Sequence, residues 1–173
     1  MSEIADLLRR SDLRDDGASR MAAVRVFKDR SELSELLDEL CYGDERTRIR
    51  AADAIRRVAV RRSEWMAVYI DRFYECGSPH EDAPTRYVQT QLTPVLLSHM
   101  KESQIEVAVS MLERNLRHSD HEVVTKSIGV AATTVRRSVT RLDRFEPALR
   151  ALLKDQRDGV ADLAGYYLSK LNG

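Results

Sequence analysis

The sequence predicts an all-α protein made of about four helical hairpins, preceded by a short helical cap. Glycine and proline are scarce, at 7 and 4 of 173 residues, and runs of alternating Val, Ile and Thr are nearly absent. Apolar residues instead recur at helical spacing, as in SQIEVAVSMLERNL. An internal similarity at a shift of 38 residues then indicates that the helices form repeated units.

The first 30 residues do not align with the repeat at this shift. The stretches SEIADLLRR and ASRMAAVRVF each have the length of a short helix, and together they would cover the first hairpin, which otherwise exposes its apolar side. A flexible tail is the alternative, because chain ends are commonly loose. We therefore divide the chain into residues 1–30, a cap or flexible segment, and residues 31–173, the repeat domain.

Three copies of the second helix of each hairpin, here called B helices, begin at Asp44, Asp82 and Asp120. Aligned residues agree in size, and each set is expected to be buried alike. The first aligned set is Ala52, Thr90 and Ile128, the second is Ile55, Thr93 and Ala131, and the third is Ala59, Leu97 and Val135. A fourth copy, RDGVADLAGYYLSKL, continues the series two residues early, and leucine-rich A helices precede most copies.

The second repeat departs from this pattern. Pro94 falls within its B helix, where it removes a backbone hydrogen bond and is expected to kink or split the helix. The turn before this helix, CGSPHEDAP, is unusually long. We expect the stack to be irregular here.

The segments LLDEL, GDERTRIRAADAIRRVA and LRALLKDQRDGVADLAGYYLSKL resemble the HEAT-repeat family. In that family an Asp at the turn within a repeat precedes a second helix that carries an arginine and an Ala-Ala pair. The resemblance covers about residues 31–171 and implies a short right-handed α-α superhelix, or solenoid, whose B helices line the concave face. It specifies a fold and leaves the activity open.

The composition of the chain argues against several classes of function. Lysine plus arginine and aspartate plus glutamate number 28 each, so no general positive charge favours nucleic acid. No stretch of about 18 apolar residues and no secretory leader is present, which predicts a cytoplasmic protein without a membrane partner. The two cysteines, Cys41 and Cys76, show no ligand spacing and are expected to be reduced, partly buried thiols.

The first B helix carries an arginine-rich run, RTRIRAADAIRRVAVRR. On a helical wheel Arg46, Arg50, Arg57 and Arg61 lie opposite the apolar side, with Asp53 placed to pair with Arg57 one turn away. This stripe would face the concave groove. At equivalent positions the third copy has Glu122, Lys126, Thr133 and Arg137, and the fourth helix offers Asp158 and Asp162 early on, so the groove runs from basic to acidic.

These residues give the predicted partner-binding set, which is Arg46, Arg50, Arg57, Arg61, Lys126, Arg137, Asp158 and Asp162. A surface of graded charge suits a protein partner of complementary polarity. It suits nucleic acid less well, because a bound phosphate backbone needs cations along its whole track.

The last turns of the B helices stay cationic, at Arg61 and Arg62, then His99, then Arg136 and Arg137. Cations at helix C-termini complement the helix dipole, and this is the simpler explanation. The alternative is an edge of the solenoid that holds an acidic partner or nucleic acid.

Candidate chemistry is sparse, and the sequence predicts no catalytic residue, metal or cofactor. Two His-Glu pairs, His80-Glu81 and His121-Glu122, do not occupy the positions that HEAT-like iron hydroxylases use. Trp65, the single tryptophan, falls in an A helix where packing is the expected role.

The sequence therefore predicts a non-enzymatic protein-interaction or scaffold module. The alternatives are nucleic-acid binding through the arginine-rich edge, then a HEAT-like DNA glycosylase or lyase that would use a concave carboxylate such as Asp53, Glu122 or Asp162. Self-association is a further expectation, because Tyr166, Tyr167 and Leu168 mark an under-capped C-terminal helix.

Overall fold

The computed structural model describes residues 3–10, 12, 14–76 and 82–172. Every regular element in these ranges is helical, which confirms the all-α prediction. The chain divides into two compact units, Met1–Met100 (unit 1) and Lys101–Gly173 (unit 2).

Unit 1 contains seven α-helices within the described ranges. They are α1 (Glu3–Arg9), α2 (Asp15–Lys28), α3 (Glu32–Tyr42), α4 (Glu45–Arg61), α5 (Ser63–Met66), α6 (Ile70–Glu75) and α7 (Ala83–Leu96). Single 3₁₀ turns, Ala67–Tyr69 and Leu97–His99, follow α5 and α7.

Unit 2 contains four α-helices in the part of it that is described. They are α8 (Glu102–Asn115), α9 (His121–Arg136), α10 (Glu146–Leu152) and α11 (Val160–Asn172). A 3₁₀ turn, Leu142–Arg144, lies before α10.

The three aspartates of the 38-residue alignment cap three helices in the same way. Asp44 accepts a hydrogen bond from the backbone N–H of Thr47 at 2.8 Å, Asp82 from that of Thr85 at 3.2 Å, and Asp120 from that of Val123 at 3.0 Å. Each bond satisfies a helical N–H that has no partner within its own helix. The alignment therefore identified the true starts of α4, α7 and α9.

Two of the three aligned residue sets are buried alike; in the third, Ala59 is buried whereas Leu97 and Val135 are half-buried. Ala52, Thr90 and Ile128 are 7%, 0% and 0% exposed, and the set that begins at Ile55 is buried throughout. The threonines satisfy their hydroxyls within α7: Thr90 Oγ1 donates to the carbonyl of Arg86 at 2.8 Å. Polar residues can therefore stand in these apolar positions without leaving a buried hydroxyl unpaired.

The two N-terminal helices expected from the sequence are present and belong to unit 1. α1 packs on α2, α3 and α4, while α2 packs along α4. Ile4 and Leu8 of α1, with Ala22 and Val26 of α2, are fully buried.

Pro94 does not split its helix. α7 continues through Pro94 to Leu96 and then tightens into the 3₁₀ turn Leu97–His99. Pro94 still lacks the N–H that would bond the carbonyl of Thr90, but it stands two residues before the end of α7, so only that short stretch of helix follows it. Most of the long turn before this helix, residues 77–81, lies outside the described residues.

The expectation of two free thiols is wrong, because Cys41 and Cys76 form a disulfide. Their Cα atoms are 4.7 Å apart and each residue is 6% exposed. Cys41 lies in the last turn of α3 and Cys76 directly follows α6, so the bridge joins the C-terminal ends of these two helices. Spacing along the chain carries no sign of this pairing.

Candidate binding site at the end of helix α4

Arg50 does not lie on an exposed stripe, contrary to the prediction from the helical wheel. Its side chain is fully buried. Nη1 donates to the carbonyls of Leu8 and Arg10 at 2.6 and 2.8 Å, and Nε donates to Asp15 Oδ1 at 2.8 Å. Arg50 therefore braces the junction between α1 and α2 against α4.

Arg46 and Arg57 also turn towards α2. Arg46 Nε donates to Asp15 Oδ1 at 3.1 Å, and Arg57 pairs with Asp16. The predicted pair across one turn of α4 is confirmed, since Arg57 Nε donates to Asp53 Oδ2 at 2.8 Å. The N-terminal end of α2 thus neutralises the first turns of the arginine run.

The pKa values of the two carboxyls follow from these contacts. Hydrogen bonds from Arg50 and then Arg46 lower the pKa of Asp15. Burial acts to raise the pKa of Asp53, but the hydrogen bonds from Arg57 and Arg56 outweigh it and leave the pKa lowered. Both aspartates therefore stay ionised, and Asp53 is not a tuned acid or base.

The remaining arginines in the body of α4 are paired as well. Arg48 Nε donates to Asp82 Oδ2 at 3.4 Å, and Arg48 Nη1 to the carbonyl of Gly43 at 2.8 Å. Arg56 Nε donates to Asp53 Oδ1 at 3.1 Å. Each arginine from Arg46 to Arg57 therefore has a carboxylate partner in the fold.

At the C-terminal end of the arginine run, the guanidinium groups stack on aromatic rings, whereas the earlier ones bond carboxylates. The Cζ atom of Arg61 lies 5.7 Å from the ring centroid of Phe27. Arg30 and Arg62 lie over the ring of Trp65, at 5.9 and 5.8 Å. The two rings are 6.1 Å apart, and these five residues form what we call the arginine–aromatic cluster.

The guanidinium groups of the cluster have few acidic neighbours. Among the described residues, neither Arg30 nor Arg61 has a carboxylate oxygen within 4.0 Å, and the nearest such oxygen to Arg62 is Glu64 Oε1 at 3.9 Å, beyond hydrogen-bonding distance. Asp29 Oδ1 accepts from the backbone and hydroxyl of Ser31. All three arginines are exposed, so their N–H groups are open to a ligand.

The parallel course of α2 and α4 explains this arrangement. Asp15 at the start of α2 meets Arg50, and Phe27 near its end meets Arg61, so the two helices run in the same direction. α4 ends where the N–H of Arg62 bonds to the carbonyl of Val58 at 2.8 Å, and α5 then brings Trp65 beside Phe27. The aspartates at the N-terminal end of α2 therefore bond Arg46, Arg50 and Arg57. The C-terminal end of α2 contributes Phe27 to the cluster.

The other predicted binding residues lie in unit 2. Lys126 is half-buried on α9, Arg137 follows its last turn and is exposed, and Asp162 is exposed in the first turn of α11. Asp158 is exposed but precedes α11, which begins only at Val160, so its expected place on a helix is wrong.

The candidate metal and catalytic residues form no centre in the described part of the chain. His121 and Glu122 begin α9 and are exposed, whereas His80 and Glu81 lie outside the described residues. No group of three or more His, Cys, Asp or Glu side chains in the described ranges is placed to hold a metal ion. Ser63 Oγ and His99 Nε2 are 2.9 Å apart, a contact that ties α5 to the end of α7.

Sequence reasoning missed Phe27 and Arg30 because they fall in the segment that does not align at 38 residues. A signal was nevertheless present. Ala22 and Ala23 of α2 are buried as Ala51 and Ala52 of α4 are, at a spacing of 29 residues. This shorter spacing aligns α2 with α4 and predicts that the ends of these two helices meet.

No helix in the described residues combines the length and apolar character that crossing a bilayer requires. No protein-family model, no curated protein and no solved structure matches this chain.

Proposed function

We propose that this chain is a non-enzymatic protein-interaction module, built as a short right-handed HEAT-like solenoid of about four hairpins with an N-terminal helical cap. Its partner presents an acidic segment to the arginine–aromatic cluster. The cluster replaces the stripe that the sequence predicted, because Arg50 is buried and Arg46 and Arg57 are paired with aspartates.

The repeat pattern supports the solenoid part of this proposal. α4, α7 and α9 share a capping aspartate and buried sets at the same spacing. Within unit 1, α2 packs along α4, and α4 along α7, as successive B helices do in a stack.

The single observation that carries the binding proposal is the division of the arginine run. From Arg46 to Arg57 the guanidinium groups bond carboxylates of the same chain, whereas Arg61 and Arg62 rest on ring faces. A guanidinium over an aromatic ring keeps its N–H edges available for a carboxylate or phosphate. Charges that the fold leaves open in this way are typical of a binding surface.

A protein partner fits this surface better than nucleic acid. Strands of nucleic acid are held by cations spaced along a track, and here the cations adjoining the cluster on α4, Arg56 and Arg57, are already paired with Asp53. The cluster offers one compact cationic spot, which suits a short acidic segment.

Titration with a labelled octaglutamate peptide at low salt tests the proposal. We compare the native protein with Arg30→Glu/Arg61→Glu, and with Arg114→Glu/Arg117→Glu as a control of equal charge change at exposed positions of unit 2. We expect the cluster variant to lose at least tenfold in affinity and the control to lose less than twofold. The proposal fails if the native protein does not bind, or if both variants lose affinity equally.

A further inference from the structure

We propose that the acidic group held by the arginine–aromatic cluster is a phosphate monoester on a side chain of the partner protein, as in phosphoserine or phosphothreonine. This inference rests on the proposed function and specifies its ligand. Three features of the cluster carry it: its charge, the grouping of its donors around two neighbouring rings, and the pairing of the adjacent arginines of α4 with carboxylates.

The charge of the cluster matches a dianion. The cluster carries three cations, Arg30, Arg61 and Arg62, and among the described residues Glu64 is the one carboxylate within 4.0 Å of any of them. This leaves a surplus of two positive charges in a chain whose net charge is zero. A phosphate monoester carries roughly −1.5 to −2 charges at neutral pH, so one such group balances the surplus.

The geometry of the donors also favours phosphate over carboxylate. Arg30 and Arg62 both lie over Trp65, and Arg61 lies over the neighbouring ring of Phe27. Ring contacts restrain each guanidinium plane while leaving its fork of N–H groups open. A phosphate offers three terminal oxygens and can accept from more than one fork, whereas a carboxylate offers two.

The carboxylate of Glu64 lies beside the cluster without forming a hydrogen bond to it. Glu64 follows Arg62 by two residues, yet its Oε1 stays 3.9 Å from Arg62 Nη1. Elsewhere in unit 1, carboxylates approach arginines to normal hydrogen-bonding distance, as Glu39 does with Arg9 at 2.9 Å. At the cluster, therefore, a carboxylate is nearby and the arginines nevertheless have no hydrogen bond to it.

The pairing of the α4 arginines upstream of the cluster favours a phosphate carried by protein. Successive phosphates of a nucleic acid would need further open cations, but upstream of the cluster Arg46 to Arg57 are bonded to Asp15, Asp16, Asp53 and Asp82. One or two phosphate positions remain. A phosphorylated side chain presents a single isolated phosphate, which fits this arrangement.

Trp65 supplies a direct readout because it is the only tryptophan in the chain and its ring contacts two of the proposed phosphate ligands, Arg30 and Arg62. The probes are three peptides that share one neutral flanking sequence and carry phosphoserine, glutamate or serine at the centre. Inorganic phosphate and a single-stranded oligonucleotide are titrated alongside, each followed by the Trp65 emission and by peptide anisotropy.

We expect the phosphoserine peptide to bind at least tenfold more tightly than the glutamate peptide, and the serine peptide not to bind. Arg30→Gln and Arg61→Gln should each weaken phosphopeptide binding at least fivefold without changing the unfolding midpoint. Arg61→Lys should weaken it in part, because it keeps the charge and loses the fork. Arg117→Gln in unit 2 should leave binding unchanged.

Equal affinity for the phosphoserine and glutamate peptides would overturn this inference and leave the proposed function standing. If the two peptides and octaglutamate all failed to bind, both the inference and the proposed function would be overturned. Inorganic phosphate bound as tightly as the phosphopeptide would identify a site for the free ion. Tighter binding of the oligonucleotide would replace a protein partner with nucleic acid, and either result would overturn the inference.

Discussion

Helix α4 of unit 1 and helix α9 of unit 2 follow the same pattern along their buried side and differ on their outer side. Asp44 and Asp120 cap them alike, and Ala52 and Ile128 are both buried. On the outer positions α4 carries arginines bonded to the aspartates of α2, whereas α9 carries Glu122, Lys126 and Thr133. Residues shared by the two helices specify the fold, and those that differ reflect what lies next to each helix.

Two arginines in the connections of unit 2 join separate parts of its chain. Arg144, in the 3₁₀ turn before α10, bonds Glu113 of α8 at 3.0 Å. Arg157, in the connection before α11, donates to the carbonyl of His118 at 2.9 Å, and its hydrogen bonds to Asp155 lower the pKa of that carboxyl to about 2. Unit 1 is therefore braced along a helix face and unit 2 at its connections.

Removing the disulfide should produce the largest difference in stability between the units, because both cysteines belong to unit 1 and only unit 1 would be destabilised. Its two residues are 35 apart in sequence, and closing a loop of that length stabilises a fold by about 3–4 kcal/mol. Reduction, or Cys41→Ser/Cys76→Ser, should lower the denaturant midpoint of unit 1, followed by Trp65 fluorescence.

Hydrogen exchange of unit 2 should not change on reduction. The control is a thiol assay on protein that was purified without reductant and then denatured. Two reactive thiols would show that the bridge is absent, and the predicted difference between the units would then be lost.

Arg50 should give the next largest effect. Arg50→Ala leaves the carbonyls of Leu8 and Arg10 without their buried donor and removes one of the two arginines that bond Asp15, at a cost of about 3 kcal/mol. The equivalent position in unit 2 is Lys126, which is half-buried, and Lys126→Ala should cost less than about 1 kcal/mol. Chemical denaturation of both variants measures the difference, and similar costs would show that Arg50 is not a brace.

Replacing the capping aspartates should cause the smallest loss of stability, and the loss should be the same in the two units. Asp44→Ala and Asp120→Ala each remove one bond to a helical N–H, with an expected cost of about 1 kcal/mol. Asp44→Asn and Asp120→Asn, which retain a capping oxygen, serve as controls and should cost much less. A large cost in one unit alone would mean that the two caps are not equivalent.

Sequence reasoning identified the helical class, the capping aspartates and two of the three buried sets because these depend on local periodicity and on spacing along the chain. It misplaced Arg50, since a helical wheel shows which side is polar and does not show which neighbour covers that side. The pairing of Cys41 with Cys76 and the meeting of Phe27 with Trp65 both join helices that are distant in sequence. Such contacts depend on how the hairpins stack, and the shorter N-terminal hairpin hid one of them.

The central claim is that one arginine run serves two purposes, bracing up to Arg57 and ligand binding from Arg61. The hydrogen exchange of arginine Nε–H groups, measured by NMR, tests this claim most directly, because the Nε atoms of Arg46, Arg48, Arg50, Arg56 and Arg57 each donate to a carboxylate.

We predict slow exchange for the Nε–H of Arg50 and Arg57, and fast exchange for those of Arg61 and Arg62 that slows when the phosphoserine peptide is added. Exchange at Arg50 as fast as at Arg61, or an Arg61 signal that does not respond to the peptide, would contradict the account.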